Sequence, residues 1–250
     1  MRYLIALIFI AAIHSTLFAQ IVNVESQRMQ KDTTGWFGNF GSGFLFERNA
    51  VKVIAINVSA YVEYQNRKSD YLFYANYSLL EGNGHSLNDN TFYHVRYNYK
   101  LSRSLHWEAF TQLQQNDITG IKFRRLVGTG PRFKLVESKK FILHAATAVM
   151  YEYEKEETTP VISHNDIRST SYISLNYKPS ENAEITGAVF YQPLFRNYHD
   201  YRVLNEITAK LKLVKHFSFK VVWYYLHDSK PAAGTPKFNY SISNGIQYDF

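Results

Sequence analysis

Residues 238–250 read FNYSISNGIQYDF, and their alternation decides the fold. Phe238, Tyr240, Ile242, Ile246, Tyr248 and Phe250 share one parity, interrupted only by Asn244. Asn239, Ser241, Ser243, Gly245, Gln247 and Asp249 share the other. Side chains of a strand point alternately to its two faces, whereas a helix would scatter these residues around its circumference. The stretch is therefore a strand with one apolar and one polar face. An aromatic residue at the very end of such a strand serves little purpose in a soluble protein. In outer-membrane proteins it is part of the signal read by the barrel-assembly machinery. Phe238, Tyr240, Ile246, Tyr248 and Phe250 are the candidate C-terminal assembly signal, with apolar side chains toward lipid.

The same pattern recurs upstream. Tyr93, Val95, Tyr97, Tyr99 and Leu101 oppose His94, Arg96, Asn98 and Lys100. Phe217, Phe219, Val221, Trp223 and Tyr225 oppose Ser218 and Lys220, with Val222 and Tyr224 less polar. Twelve such segments are expected, near 34–47, 51–64, 70–80, 91–101, 104–115, 120–136, 140–155, 165–178, 182–194, 200–214, 216–228 and 237–250. Polar turns at 101–104, 137–140, 178–182 and 214–216 alternate with longer connections at 81–90, 155–165, 195–200 and 228–236. Short periplasmic turns and longer external loops alternate in outer-membrane barrels. An even strand number leaves both termini on the periplasmic side. A soluble sandwich would show more Gly and Pro punctuation, and its loops would not sort into two length classes. The expected fold is all-β: an antiparallel, up-and-down transmembrane β-barrel of about 12 strands.

Composition agrees. Aromatic residues are 16% of the 250, with 20 Tyr and 18 Phe, and charged residues only 20%. Mean hydropathy is −0.30, too polar for a helical membrane protein but ordinary where every second residue meets lipid. Cys is absent, which excludes disulfides and thiolate metal sites. The chain opens MRYLIALIFIAAIHSTLFAQ. Arg2, the apolar run Tyr3–Ile13 and Ala19 before Gln20 read as a signal peptide, residues 1–19, for Sec export to the outer membrane. The run is too short for a spanning helix of about 20 residues. Residues 20–250 are the expected barrel, with a short N-terminal lead-in at 20–33. Net charge is +7, or +6 without Arg2. No Lys/Arg block accompanies it, which argues against nucleic acid and leaves anionic lipid or solute.

A charge at the bilayer midplane costs about 2–4 kcal/mol for Arg or Lys, so strand charges should point inward. By parity, Arg96, Glu108, Arg124, Arg132, Glu152, Arg168, Glu206 and Lys210 are the candidate lumen residues. They form either ion pairs filling a narrow barrel or a basic constriction for small anions. Gly128 and Gly130 are expected to leave a lumen groove or allow a bend, and Pro131 to cause a bulge or irregular pairing. Glu152, Glu154, Glu156 and Glu157 read as a solvated acidic rim. His216 and Ser218 share a strand face at a spacing that barrel lipases use, but no orienting carboxylate stands beside them in sequence, so no catalytic residue is assigned. Asp89, Asp117, Asp166 and Asp200 are turn residues that could also serve calcium. No spacing suits zinc, and no cofactor is expected.

Gly35-Trp36, YHVRYNYKL (93–101), WEAFTQLQQN (107–116), GTGPRF (128–133), MYEYE (150–154), 166–179, YQPL (191–194), Asp200-Tyr201-Arg202 and SNGIQYDF (243–250) together carry a family likeness. On these stretches the chain resembles the salt-induced outer-membrane protein family, domain of unknown function 481. Its length and ending are similar to the Bacteroidetes version. The resemblance implies an outer-membrane barrel among lipid and lipopolysaccharide, and it brings no catalytic residues. The expected function is a narrow porin-like channel or an envelope-integrity protein. The alternatives are a lipid-modifying enzyme and a structural subunit of an envelope complex.

Overall fold

The computed structural model describes residues 24–28, 34–48 and 52–250. The signal peptide, its cleavage junction and much of the lead-in lie outside the described residues. Twelve strands form one closed antiparallel barrel in sequence order. They are β1 (Gly35–Arg48), β2 (Lys52–Gln65), β3 (Ser69–Gly82), β4 (His85–Lys100), β5 (Leu105–Asn116), β6 (Ile121–Glu137), β7 (Phe141–Glu156), β8 (Ser163–Ser180), β9 (Ala183–Leu194), β10 (Asn197–Lys212), β11 (Phe217–Asp228) and β12 (Phe238–Asp249). Among the described residues, no helix is long and apolar enough to cross a membrane.

Each strand forms because its parity matches a two-sided wall. Val95, Trp107, Val127, Val149, Ile173, Ile207 and Ile242 stand exposed outside, while Arg96, Glu108, Arg124 and Asn176 are buried inside. This is inverted relative to a soluble barrel. Aromatic rings gather toward both rims. At the end that holds Phe250, Trp36 meets Tyr64 at 4.9 Å and Tyr71 meets Tyr97 at 5.1 Å. At the opposite end, Tyr191 meets Tyr201 at 5.8 Å and His227 meets Phe238 at 4.7 Å. Amphipathic rings favour the two headgroup levels of a bilayer, so belts at both rims bracket an apolar band.

The barrel closes between β1 and β12 over only three register pairs, Asn39–Asp249, Phe40–Tyr248 and Gly41–Gln247. Phe250 extends this seam: its N–H donates to the Gly38 carbonyl at 3.1 Å. A Cβ at Gly38 would strike the Phe250 ring, so the glycine makes room for it. Farther along, Gly43 and Gly245 flank a cavity of about 110 Å³.

Two expectations change and a third holds in part. The long loops expected at 81–90 and 195–200 are tight hairpins between lengthened strands. Asn83 and Gly84 turn the first with φ of 53° and 80°, a conformation that Asn-Gly adopts at little cost. Pro131 forces no register shift, but pairing beside it is irregular: the β6–β7 ladder skips Gly130 and Pro131 between Thr129–Val149 and Arg132–Ala146. Pro131 stands opposite Trp107, and the shifts in β6 fall at Ile121/Phe123 and Lys134/Val136. The glycines leave no groove either. The Phe110 ring fills the space beside Gly128, and β7 presses its Thr147 carbonyl and Ala148 against Gly130.

Candidate functional site

Charged side chains from several strands meet in the lumen, and one of them comes from the lead-in segment. Val24–Gln27 form a short 3-10 turn inside the barrel. Val24 anchors it in an apolar cluster with Tyr61, Leu72, Tyr74 and Phe92. That contact directs Glu25 at the wall. Its carboxylate accepts hydrogen bonds from Arg96 of β4 at 2.5 Å, Arg132 of β6 at 2.8 Å and Arg28 at 3.2 Å. Tyr172 and Ser174 of β8 add hydroxyl donors at 3.3 Å each. Glu108 of β5 is the second carboxylate, reached by Arg28 at 3.0 Å and Tyr172 at 2.8 Å. The Phe110 ring lies 5.5 Å from the Arg96 guanidinium and supports it by cation–π attraction.

Burial alone would push the Glu25 carboxyl up, but Arg132, Arg28 and Arg96 outweigh it and hold the group well below the usual carboxylate range. The site thus sets three guanidiniums against two carboxylates, all buried. Such a network adds little stability over apolar packing, yet removing one partner costs about 3–5 kcal/mol because the others stay buried.

A second network lies toward the opposite rim. Arg202 of β10 reaches across to Glu152 at 2.9 Å and Glu154 at 3.1 Å on β7, and to Asp228 at 2.8 Å on β11. Arg124 holds Glu154 at 2.7 Å. Arg168 holds Asp200 at 2.9 Å and approaches Glu152 at 3.3 Å. The acidic rim is therefore corrected. Glu152 and Glu154 are buried ion-pair partners, Glu156 faces His164 at 2.8 Å, and Glu157 alone of the four is exposed. Parity places 152 and 154 inward, where the arginines neutralise them. Between the two networks remains a space of about 70 Å³.

Of the eight candidate lumen residues, Arg96, Glu108 and Arg132 meet in the first network and Arg124, Glu152 and Arg168 in the second. Glu206 is buried on β10 away from both, and Lys210 pairs with Asp249 at 2.8 Å. The sequence reading missed Glu25, Arg28, Glu154 and Arg202 as network members. Arg202 and Glu154 share parity with Glu206 and Glu152, a signal that would have found them. The five assembly-signal residues, Phe238, Tyr240, Ile246, Tyr248 and Phe250, all face outward.

His216 and Ser218 are near each other but not arranged as a base and nucleophile. The His216 Nδ1 meets the Asp249 main-chain oxygen at 2.9 Å, while Ser218 donates to the Asp249 carboxylate at 3.3 Å. Asp166 and Asp200 are taken by Arg196 and Arg168. Among the described residues no cluster of three or more His, Asp or Glu could hold a metal ion.

An apolar exterior, a polar interior and twelve antiparallel strands in sequence order define an outer-membrane-type β-barrel. The chain belongs to the DUF481 family of proteins of unknown function, whose sequence pattern matches residues 52–250. No curated protein matches it. Among solved structures the fold is similar to the NanC porin, with TM-score 0.55, 9% identity, and 86% of this chain and 100% of that one covered. It is also similar to an outer membrane channel from Pseudomonas putida F1, with TM-score 0.53, 8% identity, and coverage of 92% and 100%. The translocator domain of the autotransporter NalP from Neisseria meningitidis gives TM-score 0.50 at 9% identity, covering 91% and 92%. These likenesses concern the fold alone.

Proposed function

We propose that this protein is a non-enzymatic, porin-like barrel of the outer membrane whose lumen is kept shut by its own N-terminal segment. The observation that carries the reading is Glu25, held by three arginines from inside the barrel. Glu25 is the counter-ion of the charged level that Arg96 and Arg132 form. With Val24–Arg28 withdrawn, Arg96 and Arg132 would face Glu108 alone, and rings of Arg favour anions. The solute is accordingly a small anion. Outward-facing aromatic belts support residence among outer-membrane lipids, and the C-terminal Phe250 supports assembly by the barrel machinery.

Planar-bilayer recording of the folded, signal-free chain tests this. The chain should be shut most of the time, and Glu25→Gln should produce frequent conducting steps. Silence from both proteins would remove the channel and leave an envelope-integrity role.

A further inference from the structure

A large cavity lies at the end of the barrel that holds Phe250, beyond the Glu25 network, and its chemistry is unbalanced. It encloses about 320 Å³, within the roughly 300–1,000 Å³ typical of small-molecule sites. Its walls come from β8 to β12, Asn39 of β1 and the turns that join β8 to β9 and β10 to β11. Lys210 and Lys220 are direct cross-strand partners on the lumen face of β10 and β11. Like charges placed opposite one another destabilise a sheet pair. Asp249 makes its ion pair with Lys210. Glu206, beside Lys220 in the neighbouring cavity, offsets part of the remainder. Lys212 and Lys215 add two more ammonium groups to the lining, which also holds Glu181, the Lys178–Glu184 pair and Arg28, itself paired with Glu25 and Glu108, so the cations still outnumber the carboxylates. Among the described residues Lys212, Lys215 and Lys220 form no ion pair.

Two further groups point to a ligand. Thr186 and Thr208 are cross-strand partners that line the same cavity. They are 7% and 4% exposed, and neither hydroxyl oxygen has a hydrogen-bond partner. An unsatisfied buried hydroxyl costs about 1–3 kcal/mol, so a pair of them facing a cavity calls for a polar occupant.

We infer that this cavity binds a phosphate group carried on a small organic body. Several ammonium point charges and two hydroxyl donors suit a compact oxyanion with many acceptor oxygens. The group could belong to a soluble phosphate ester or to a phospholipid headgroup from the adjoining leaflet. The inference deepens the anion-channel reading but does not share its test. A silent barrel that binds phosphate keeps the site and loses the channel.

Calorimetry on the folded chain in a phosphate-free detergent decides it, with inorganic phosphate, glycerol 3-phosphate and a short-chain phosphatidylglycerol as separate probes. Binding should weaken by about tenfold or more in Lys220→Met, the loss of one charge-assisted bond. It should weaken less in Thr208→Val and Lys212→Gln, which guard against a folding failure of the first variant. Lys140→Met, at a turn outside the cavity lining, should change nothing. Binding of glycerol 3-phosphate identifies a soluble ester. Binding of the lipid alone identifies a headgroup. No binding of any probe, or binding indifferent to all three cavity variants, overturns the inference.

Discussion

Glu25→Gln keeps the shape of the side chain and removes only its charge. The carboxylate receives Arg96, Arg132 and Arg28 at 2.5, 2.8 and 3.2 Å, and its side chain is 2% exposed. Losing one member of a buried ion network costs about 3–5 kcal/mol. Here the cost falls on seating the inner segment, because the strands keep their ladders and Glu108 stays in place. At one decade per 1.36 kcal/mol, the released fraction should rise roughly a hundred- to several-thousand-fold. The absence of native Cys makes this measurable. Val24→Cys places a thiol in the apolar cluster beside Tyr61 and Phe92. Its maleimide labelling rate follows the released fraction when reseating is fast. That rate should rise by at least about a hundredfold when Glu25→Gln is added. A rise of less than about threefold, under 1 kcal/mol on the same scale, would mean that Glu25 does not hold the segment.

The Glu25 carboxyl titrates lower when seated than when released, so closure keeps its full electrostatic stability above the ordinary Glu value of about 4.3 and loses it as pH falls below that. Bilayer recordings should show a flat closed fraction from pH 8 to about 5 and opening only in stronger acid. Gly130→Ala drives a methyl into the Thr147 carbonyl and the Ala148 backbone. It should cost about 1–3 kcal/mol, read as a lower temperature for the heat-induced gel shift. Arg202→Met leaves Glu152, Glu154 and Asp228 without their shared partner and should cost about 3–5 kcal/mol in urea unfolding from vesicles. Deleting Phe250 removes its bond to Gly38 and the outward ring at the closing seam. Expressed in cells, that variant should give less heat-modifiable barrel, while any that folds behaves as the parent.

Period-two alternation made most of the fold legible, because each strand must present one face to lipid and one to a polar lumen. Tyr93 against His94 and Phe217 against Ser218 reveal which face each side chain takes. Loop lengths were less legible. His85–Asn90 and Asn197–Asp200 carry polar and turn-forming residues, yet barrel walls that continue past the apolar band have no need of apolar side chains. The Asn83-Gly84 dipeptide was the available signal for a tight hairpin there. The site was legible as a set of inward charges, since parity is a local property. Its pairing was not, because Arg202 finds Glu152 across the lumen, 50 positions away in sequence. The inner segment was hidden for another reason. Glu25 and Arg28 sit in a stretch with no strand periodicity, and only the depth of the cavity shows why a carboxylate and a guanidinium stand there.

Reversal potential under a potassium chloride gradient measures the charge of the opened lumen directly. For Glu25→Gln, the account predicts a clear anion preference, reduced when Arg96 or Arg132 is also replaced by Gln. A cation preference, or a reversal potential indifferent to both arginines, would contradict a lumen governed by this network.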